Sequence, residues 1–157
     1  MRSAAIDRER EFTRFVKETE PRLSYALAAA YGIDVGADST ADALAWAWEN
    51  WNKVKEMKNP AGYLYRVGQS KARRYFRPAV LFPAVGAYEA SEVSTDLHTV
   101  LVDLSKNQRV CAVLIHALDY TEREVAELLG LSRWSVRTHA ERGLSKLKNL
   151  LEVGIDA

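Results

Sequence analysis

The chain has 157 residues, of which 48% are hydrophobic and 27% are charged, and its net charge is +1. This composition is typical of one folded domain or two small ones and excludes a disordered protein. The single cysteine, Cys111, excludes an internal disulfide and a cysteine-based zinc cluster, and we expect it to pack in the core. No apolar stretch approaches the roughly 20 residues of a membrane span, and the start of the chain has no signal-peptide core. We therefore expect a cytoplasmic protein.

Basic residues are concentrated in two segments of the chain. Residues 62–77 contain five bases and no acid, and residues 132–148 contain five bases and one acid. The segment between them, 78–105, has four acids and neither Lys nor Arg. This distribution predicts two basic modules separated by a weakly acidic spacer.

The first half of the chain has the apolar spacing of helices. One helical pattern covers 9–31, with Pro21 marking a break or a new start, and Gly32 ends it. We expect Asp38 or Ser39 to cap a second helix, whose apolar stripe consists of Leu44, Trp48, Trp51 and Val54. Pro60 starts a third helix that runs to about Phe76, with Tyr63, Leu64, Val67 and Ala72 on its apolar side and bases elsewhere.

The second half begins with a segment that lacks a helical period. Residues 78–98 contain Gly and Pro and are interpreted as a linker. A short helix at 97–104, an apolar helix at 107–118 and two further helices then form a four-helix module. The predicted fold class is all-α, with two small helical domains joined by a linker: 8–77, the linker 78–98, and 99–153.

The most informative segment is 121–142, TEREVAELLGLSRWSVRTHAER. Thr121 and Glu124 have the spacing of a capping box, and Gly130 can take the positive φ that ends a helix. Ser132 can cap the next helix, so two short helices follow each other within three residues. In the second helix Val136, Ala140, Leu144, Leu147 and Leu151 share an apolar face. The pattern predicts a helix-turn-helix.

The outward face of that second helix carries residues that can contact DNA. Arg can bind guanine in a bidentate manner, Thr can contact a thymine methyl group, and further bases suit the phosphate backbone. The candidate DNA-binding residues are Arg133, Trp134, Arg137, Thr138, Glu141 and Arg142, with Lys146 and Lys148 also suited to the backbone. The alternative is an ordinary helical hairpin with a solvated basic face.

Residues for catalysis are missing from the pattern. His98, His116 and His139 are scattered, and no metal-ligand spacing, phosphate-binding loop or activated nucleophile is recognisable. We expect no enzyme activity, no metal, no cofactor and no small-molecule substrate.

Two segments resemble the two domains of bacterial extracytoplasmic-function sigma factors of RNA polymerase. Residues 104–151 are similar to sigma domain 4 in the pair Gln108-Arg109, the Tyr120-Thr121 entry and the series that includes Glu124-Val125-Ala126 and Leu129-Gly130-Leu131-Ser132. Residues 12–77 resemble sigma domain 2 in Asp38, Asp42, Ala47-Trp48, Trp51 and the Asn59-Pro60 start of the promoter-melting helix.

The resemblance implies a role for each segment. Domain 2 would hold core RNA polymerase through Asp38, Asp42, Trp46 and Glu49, although Trp46 could instead belong to a second packed surface. It would bind the minus-10 region as a single strand through Arg66, Lys71, Arg73, Arg74, Arg77 and Tyr75. The neighbouring aromatic residues Tyr63, Tyr65 and Phe76 could take part or could equally be core residues. Domain 4 would bind promoter DNA at the minus-35 element, and an anti-sigma protein is an expected partner.

The chain also departs from the family pattern. Ala37 and Ala41 replace an acid and a glutamine, Arg74 lies where an acid or amide is usual, and Ser105 replaces a proline. His139 and Glu141 replace residues that are more often Arg and His. The departures at Ala37, Ala41 and Arg74 favour an alternative, a sigma-like DNA-binding regulator without promoter melting. A third hypothesis is an adaptor that binds only protein.

Overall fold

The computed structural model describes residues 2–75 and 100–156, and side chains as far as residue 152. Helices make up almost all of this part, and it contains no strand. In chain order they are α1 Arg2–Tyr31, α2 Ile33–Glu49, α3 Trp51–Val54, α4 Pro60–Tyr75, α5 Lys106–Ala112, a π-helical turn Val113–Ala117, α6 Glu122–Leu129 and α7 Arg133–Asp156. Residues 100–103 are also helical. The predicted all-α fold is confirmed.

The N-terminal bundle is formed by α1, α2 and α4, which pack on one another. Its fully buried side chains include Leu23, Leu27, Val54 and Leu64. Toward the start of α1, Phe12 and Phe15 lie with their ring centroids 5.3 Å and 5.1 Å from Trp51. Arg8 covers Trp48, with its guanidinium 4.0 Å from the ring centroid. Burial of these apolar and aromatic side chains stabilises the bundle.

Two predictions about helix boundaries in this bundle were wrong. The helix α1 continues through Pro21 instead of breaking there. Proline has no backbone N–H, so the carbonyl of Lys17 loses its donor within the helix. Because Lys17 is exposed, water can bind this carbonyl instead. The helix α2 starts at Ile33, directly after Gly32, and not at Asp38 or Ser39. The Ser39 hydroxyl lies inside α2 and donates to the Gly36 carbonyl at 3.2 Å, a bond available to serine within a helix.

The C-terminal bundle comprises residues 100–103, α5, the π-helical turn, α6 and α7. Its core contains Val110, Leu114, Val125, Leu128 and Val136, each no more than 1% exposed. The helix α5 begins with a capping box in which Ser105 accepts from the Gln108 amide and Gln108 accepts from the Ser105 amide. Ser105 therefore starts this helix without the proline that is usual in the sequences it resembles. The proposed linker 78–98 lies outside the described residues, and no described helix is long and apolar enough to cross a membrane.

Arg109 of α5 joins the two bundles. Its side chain is 4% exposed, and its Nε and Nη2 donate to the carbonyls of Ala29 and Ala30, the latter at 2.8 Å. Its Nη1 donates to the carbonyl of Leu104 at 3.1 Å and to that of Leu101 at 3.4 Å. The last carbonyls of a helix lack partners within it and carry partial negative charge. The Arg109 guanidinium therefore supplies hydrogen-bond donors to the last carbonyls of α1.

Cys111, two residues further along, is fully buried, as predicted. Burial raises the pKa of its thiol to about 12. Tyr65 of α4 is also buried, and burial raises the pKa of its hydroxyl, with smaller Coulombic contributions from Tyr31 and Cys111. Because the buried thiol lies two residues from Arg109, its reactivity can be used to follow the contact between the bundles.

We predict that Arg109→Ala lowers the free energy of unfolding by about 3 kcal/mol, because buried carbonyls lose a charged donor. The Cys111 thiol should also react faster with a disulfide reagent at pH 8 as the contact loosens. Urea unfolding and thiol kinetics measure the two effects. Lys17→Ala, an exposed substitution in α1, serves as control and should change neither. Unchanged stability and thiol kinetics in the Arg109 variant would contradict this role.

Candidate nucleic-acid interface

Local hydrogen bonds define the helix-turn-helix at 121–142. The Thr121 hydroxyl accepts from the Glu124 amide at 3.1 Å, and the Glu124 carboxylate accepts from the Thr121 amide at 3.2 Å. Gly130 has φ +69°, a left-handed conformation that favours glycine, and it ends α6. The Ser132 hydroxyl accepts from the Ser135 amide at 3.0 Å and starts α7. The capping box, the glycine turn and the second cap are confirmed.

The first half of α7 buries one face and exposes the other. Val136 and Ala140 are buried, whereas Leu144, Leu147 and Leu151 are only partly buried. The predicted apolar face is therefore well packed near the turn and less so beyond it. Of the candidate DNA-binding residues, Thr138 is partly buried and the others are exposed, namely Arg133, Trp134, Arg137, Glu141 and Arg142. Trp134 is 70% exposed, an unusual degree for so large an apolar ring.

Two bases of α7 are already bound within the chain. Arg137 donates from Nε and Nη2 to the two carboxylate oxygens of Glu122, both at 2.9 Å. Lys146 donates to the carbonyl of Asp103 at 3.1 Å, so it ties α7 to residues 100–103. Sequence reasoning found neither contact. For Arg137 and Glu122 opposite charge was a signal, but it does not show which residues of different helices meet. The bond from Lys146 to a backbone carbonyl has no counterpart in the sequence pattern.

The basic helix α4 presents most of its cations to solvent. Arg66, Arg73 and Arg74 are exposed, Lys71 is partly buried, and Arg77 lies outside the described residues, as does Phe76. Tyr75 is 67% exposed and available for stacking on a base.

Of the two tyrosines near the start of α4, only Tyr63 lies elsewhere than its sequence pattern indicated. Tyr63 was expected on the apolar face but is 38% exposed. Tyr65 is 3% exposed and lies in the core, and burial raises the pKa of its hydroxyl. Tyr65 is therefore unavailable for stacking on a base in this arrangement, because its ring is covered by protein.

The acidic face of α2 lies next to α4. Asp38, Asp42 and Glu49 are exposed. Trp46 is partly buried, and its ring centroid is 5.4 Å from that of Tyr63, so a packed surface accounts for much of this side chain. Asp38 and Asp42 line one cleft together with Lys71 and Tyr75. Candidate polymerase-binding and DNA-binding residues thus border each other.

Asn59 brings the helix-turn-helix against the start of α4. Its side-chain oxygen accepts from the Gly62 amide at 3.0 Å, and its side-chain nitrogen donates to the Glu127 carbonyl of α6 at 2.8 Å. Arg66 and Gly130 line the same cleft. Sequence reasoning placed Asn59 at the start of the third helix and did not predict this contact, because 68 residues separate it from its partner.

Gly62 permits this close approach. A Cβ atom at Gly62 would lie 2.8 Å from the Glu127 carbonyl oxygen and would also meet the Asn59 side chain. Replacing an exposed helical glycine by alanine ordinarily stabilises a helix by about 0.5–1 kcal/mol. At Gly62 the steric conflict with the neighbouring backbone opposes that gain.

We therefore predict that Gly62→Ala lowers the free energy of unfolding by about 1–2 kcal/mol, since overpacking outweighs the gain in helix propensity. Small-angle scattering should show a larger radius of gyration as α6 moves away from α4. Ser70→Ala, an exposed substitution in the same helix, should leave the radius unchanged. A Gly62 variant that is more stable than wild type at an unchanged radius would refute the close contact.

The C-terminal part of the chain matches a known protein family. Residues 94–147 match the family described as sigma-70, region 4. The fold resembles that of the sigma factor RpoE from Bartonella quintana, solved in complex with the anti-sigma factor NepR, at 21% identity and a TM-score of 0.62 over 91% of this chain and 98% of that one. It also resembles CnrH, solved in complex with the cytosolic domain of CnrY, at 25% identity and a TM-score of 0.59 over 92% of this chain and 90% of that one. No curated protein matches the sequence.

The family match covers the helix-turn-helix and the helix before it. The resemblance to sigma factors that the sequence indicated is thus confirmed, by the match of residues 94–147 to sigma-70, region 4, and by a fold similar to that of the sigma factor RpoE. Among the described residues, no cluster of His, Cys, Asp and Glu is arranged to hold a metal ion.

Proposed function

We propose, from the sigma-70 region 4 domain and the sigma-factor fold of this chain, that it is an RNA polymerase sigma factor of the extracytoplasmic-function type. One observation carries the proposal: the matched region contains a fully capped helix-turn-helix whose second helix exposes Arg133, Trp134 and Arg137. In an ordinary helical hairpin, we would expect a large aromatic ring between two arginines to pack against the protein and not to face solvent. Such a face suits the major groove of DNA.

In this proposal α7 recognises the minus-35 element. Arg133 and Arg137 can bind guanine, while Thr138 and Trp134 can contact thymine methyl groups. Arg142 and Lys148 are suited to phosphate contacts, which fix the register of the helix without reading sequence. Lys146 is less suited to this role than the sequence indicated, because it already binds the Asp103 carbonyl.

The helix α4 would hold the minus-10 region as single-stranded DNA. Exposed Arg66, Arg73 and Arg74 can track a phosphate backbone, with Lys71 and Arg77 as further candidate cations. Tyr75 can stack on an unpaired base, an interaction that contributes about 1–3 kcal/mol per base. These surfaces together support promoter binding at two points.

The acidic face of α2 would bind core RNA polymerase, with Asp38, Asp42 and Glu49 as its charged residues and Trp46 at its border.

We predict that Asp38→Asn together with Asp42→Asn reduces capture of core polymerase at least tenfold, a loss of about 1.4 kcal/mol. Pull-down at low and high salt measures this loss. Glu9→Gln with Glu18→Gln removes two exposed acids of α1 and should capture polymerase normally. Equal loss in both pairs would point to overall charge and argue against a specific α2 face.

An anti-sigma protein is the expected regulator. The structure of RpoE contains the anti-sigma factor NepR, and that of CnrH contains the cytosolic domain of CnrY. We extend this property to the present chain as part of the proposal and place its action in the cytoplasm, where transcription takes place in bacteria.

Run-off transcription with core polymerase and a promoter library tests the function directly. Wild-type protein should start transcripts that core polymerase alone does not. Arg133→Ala should lower promoter affinity by about 1–3 kcal/mol if it removes one arginine–base contact. Arg14→Ala, an exposed arginine of α1, should transcribe like wild type. Absence of any added initiation by the wild-type protein would contradict the proposal.

The alternative is a sigma-like regulator that binds duplex DNA without melting it. The contact of Asn59 with Glu127 favours this candidate, because it places the helix-turn-helix against the start of α4. Such a regulator would bind duplex promoters without core polymerase and would leave thymines of the minus-10 region unreactive to permanganate. A sigma factor with core polymerase would make those thymines reactive.

A further inference from the structure

Glu122 and Arg137 form a bidentate pair on the two helices of the helix-turn-helix. Glu122 is the first residue of α6, and Arg137 is the fifth residue of α7. Both donor–acceptor distances are 2.9 Å. The hydrogen bonds from Arg137 hold the pKa of Glu122 below its usual value, and the same bonds raise the pKa of Arg137. The two hydrogen bonds therefore favour the charged form of each partner.

The pair uses only one edge of the guanidinium group. An arginine side chain has five N–H donors arranged in a plane. In the described part of the chain, Arg137 forms its hydrogen bonds with Nε and one N–H of Nη2. Both N–H groups of Nη1 and the second N–H of Nη2 remain, and Nη1 and Nη2 together form the outer edge of the fork. Two parallel donors on this edge match the O6 and N7 acceptors of guanine.

Exposure of the two side chains is consistent with such an arrangement. The Arg137 side chain is 54% exposed, and that of Glu122 is 27% exposed. The carboxylate is thus the more covered partner, and the arginine is the one that faces solvent. Glu141, one turn further along α7, acts on Arg137 only through its charge. A long side chain loses rotamer freedom when it binds, and a pair formed beforehand reduces that cost.

We propose that Glu122 is a positioning residue that orients Arg137 so that its outer edge reads a guanine in the minus-35 element. This inference rests on the proposed function. Glu122 itself does not contact a base. A simpler role for Glu122, at the positive end of α6, would be to stabilise that helix, and such a role would not affect base preference.

The test uses wild-type and variant protein bound to core polymerase, on a promoter library with a randomised minus-35 element. Wild type should prefer guanine at a position where Arg137→Ala shows no preference. Glu122→Gln should lower that preference about threefold to tenfold, part of the effect of one bidentate arginine–guanine contact. Preferences at other positions should remain. Glu122→Asp, which keeps the charge, should restore part of the preference.

A double-mutant comparison separates orientation from other effects. In the Arg137→Ala background, Glu122→Gln should have no further effect on base preference, because the group that it orients is gone. Glu127→Gln removes an exposed carboxylate from the same helix and is the matched control. Loss of a negative charge near DNA should strengthen binding to every sequence alike, without changing the preference for guanine.

The outcomes distinguish this inference from the proposed function. Wild-type complexes without a preference at any position would overturn both. If wild type has base preferences and Glu122→Gln leaves them unchanged, or changes them only as Glu127→Gln does, the positioning role alone is overturned. Thermal unfolding of each variant is measured alongside the promoter selection. A loss of guanine preference in a Glu122→Gln variant that is as stable as wild type supports the proposal.

Discussion

The arrangement of the two bundles depends on the guanidinium group of Arg109. A fully buried cation is costly unless hydrogen bonds replace its water. Within residues 2–75 and 100–156, the acceptors of Arg109 include no carboxylate. Four backbone carbonyls take that role, two of them at the end of α1 and 79 and 80 residues away in the chain. The end of a helix is the one place where several neighbouring carbonyls lack internal partners. The contact therefore requires α1 to end where it does, at Tyr31 before Gly32.

A second contact then determines which surfaces remain open. Asn59 bonds the Glu127 carbonyl, so α6 lies on the start of α4, and Arg66 faces the turn at Gly130. The outward face of α7 is not used in either contact, and Trp134 stays exposed. The face proposed to read the minus-35 element is thus accessible in this arrangement, whereas the first turn of the proposed melting helix is partly covered.

Sequence reasoning succeeded where the determining interactions are local. Thr121 with Glu124, Gly130, and Ser132 with Ser135 act over at most three residues, so their spacing is enough to predict the helix-turn-helix. It failed where the decisive interactions are not local or leave no side-chain signal. The helix α1 continues through Pro21 because only the carbonyl of exposed Lys17 loses its donor, and α2 starts after Gly32 without a side-chain cap. The exposure of Tyr63, which packs on Trp46, depends on how α4 packs on α2. The pairs Asn59–Glu127 and Glu122–Arg137 join separate helices, and no short-range pattern specifies them.

The positions of the departures from the sigma-factor pattern indicate what these residues change. Ala37, Ala41, Arg74 and Glu141 are all exposed, so none of them removes a core contact. Ser105 replaces a proline at a helix start and supplies a side-chain cap in its place, which keeps the α5 helix that carries Arg109. Because such changes leave packing intact, they affect what the surfaces bind more than how the chain folds. Under the proposed function, Ala37 and Ala41 would weaken the α2 face for polymerase, whereas Glu141 adds a negative charge beside Arg137 and makes the orientation imposed by Glu122 more important for reading a base.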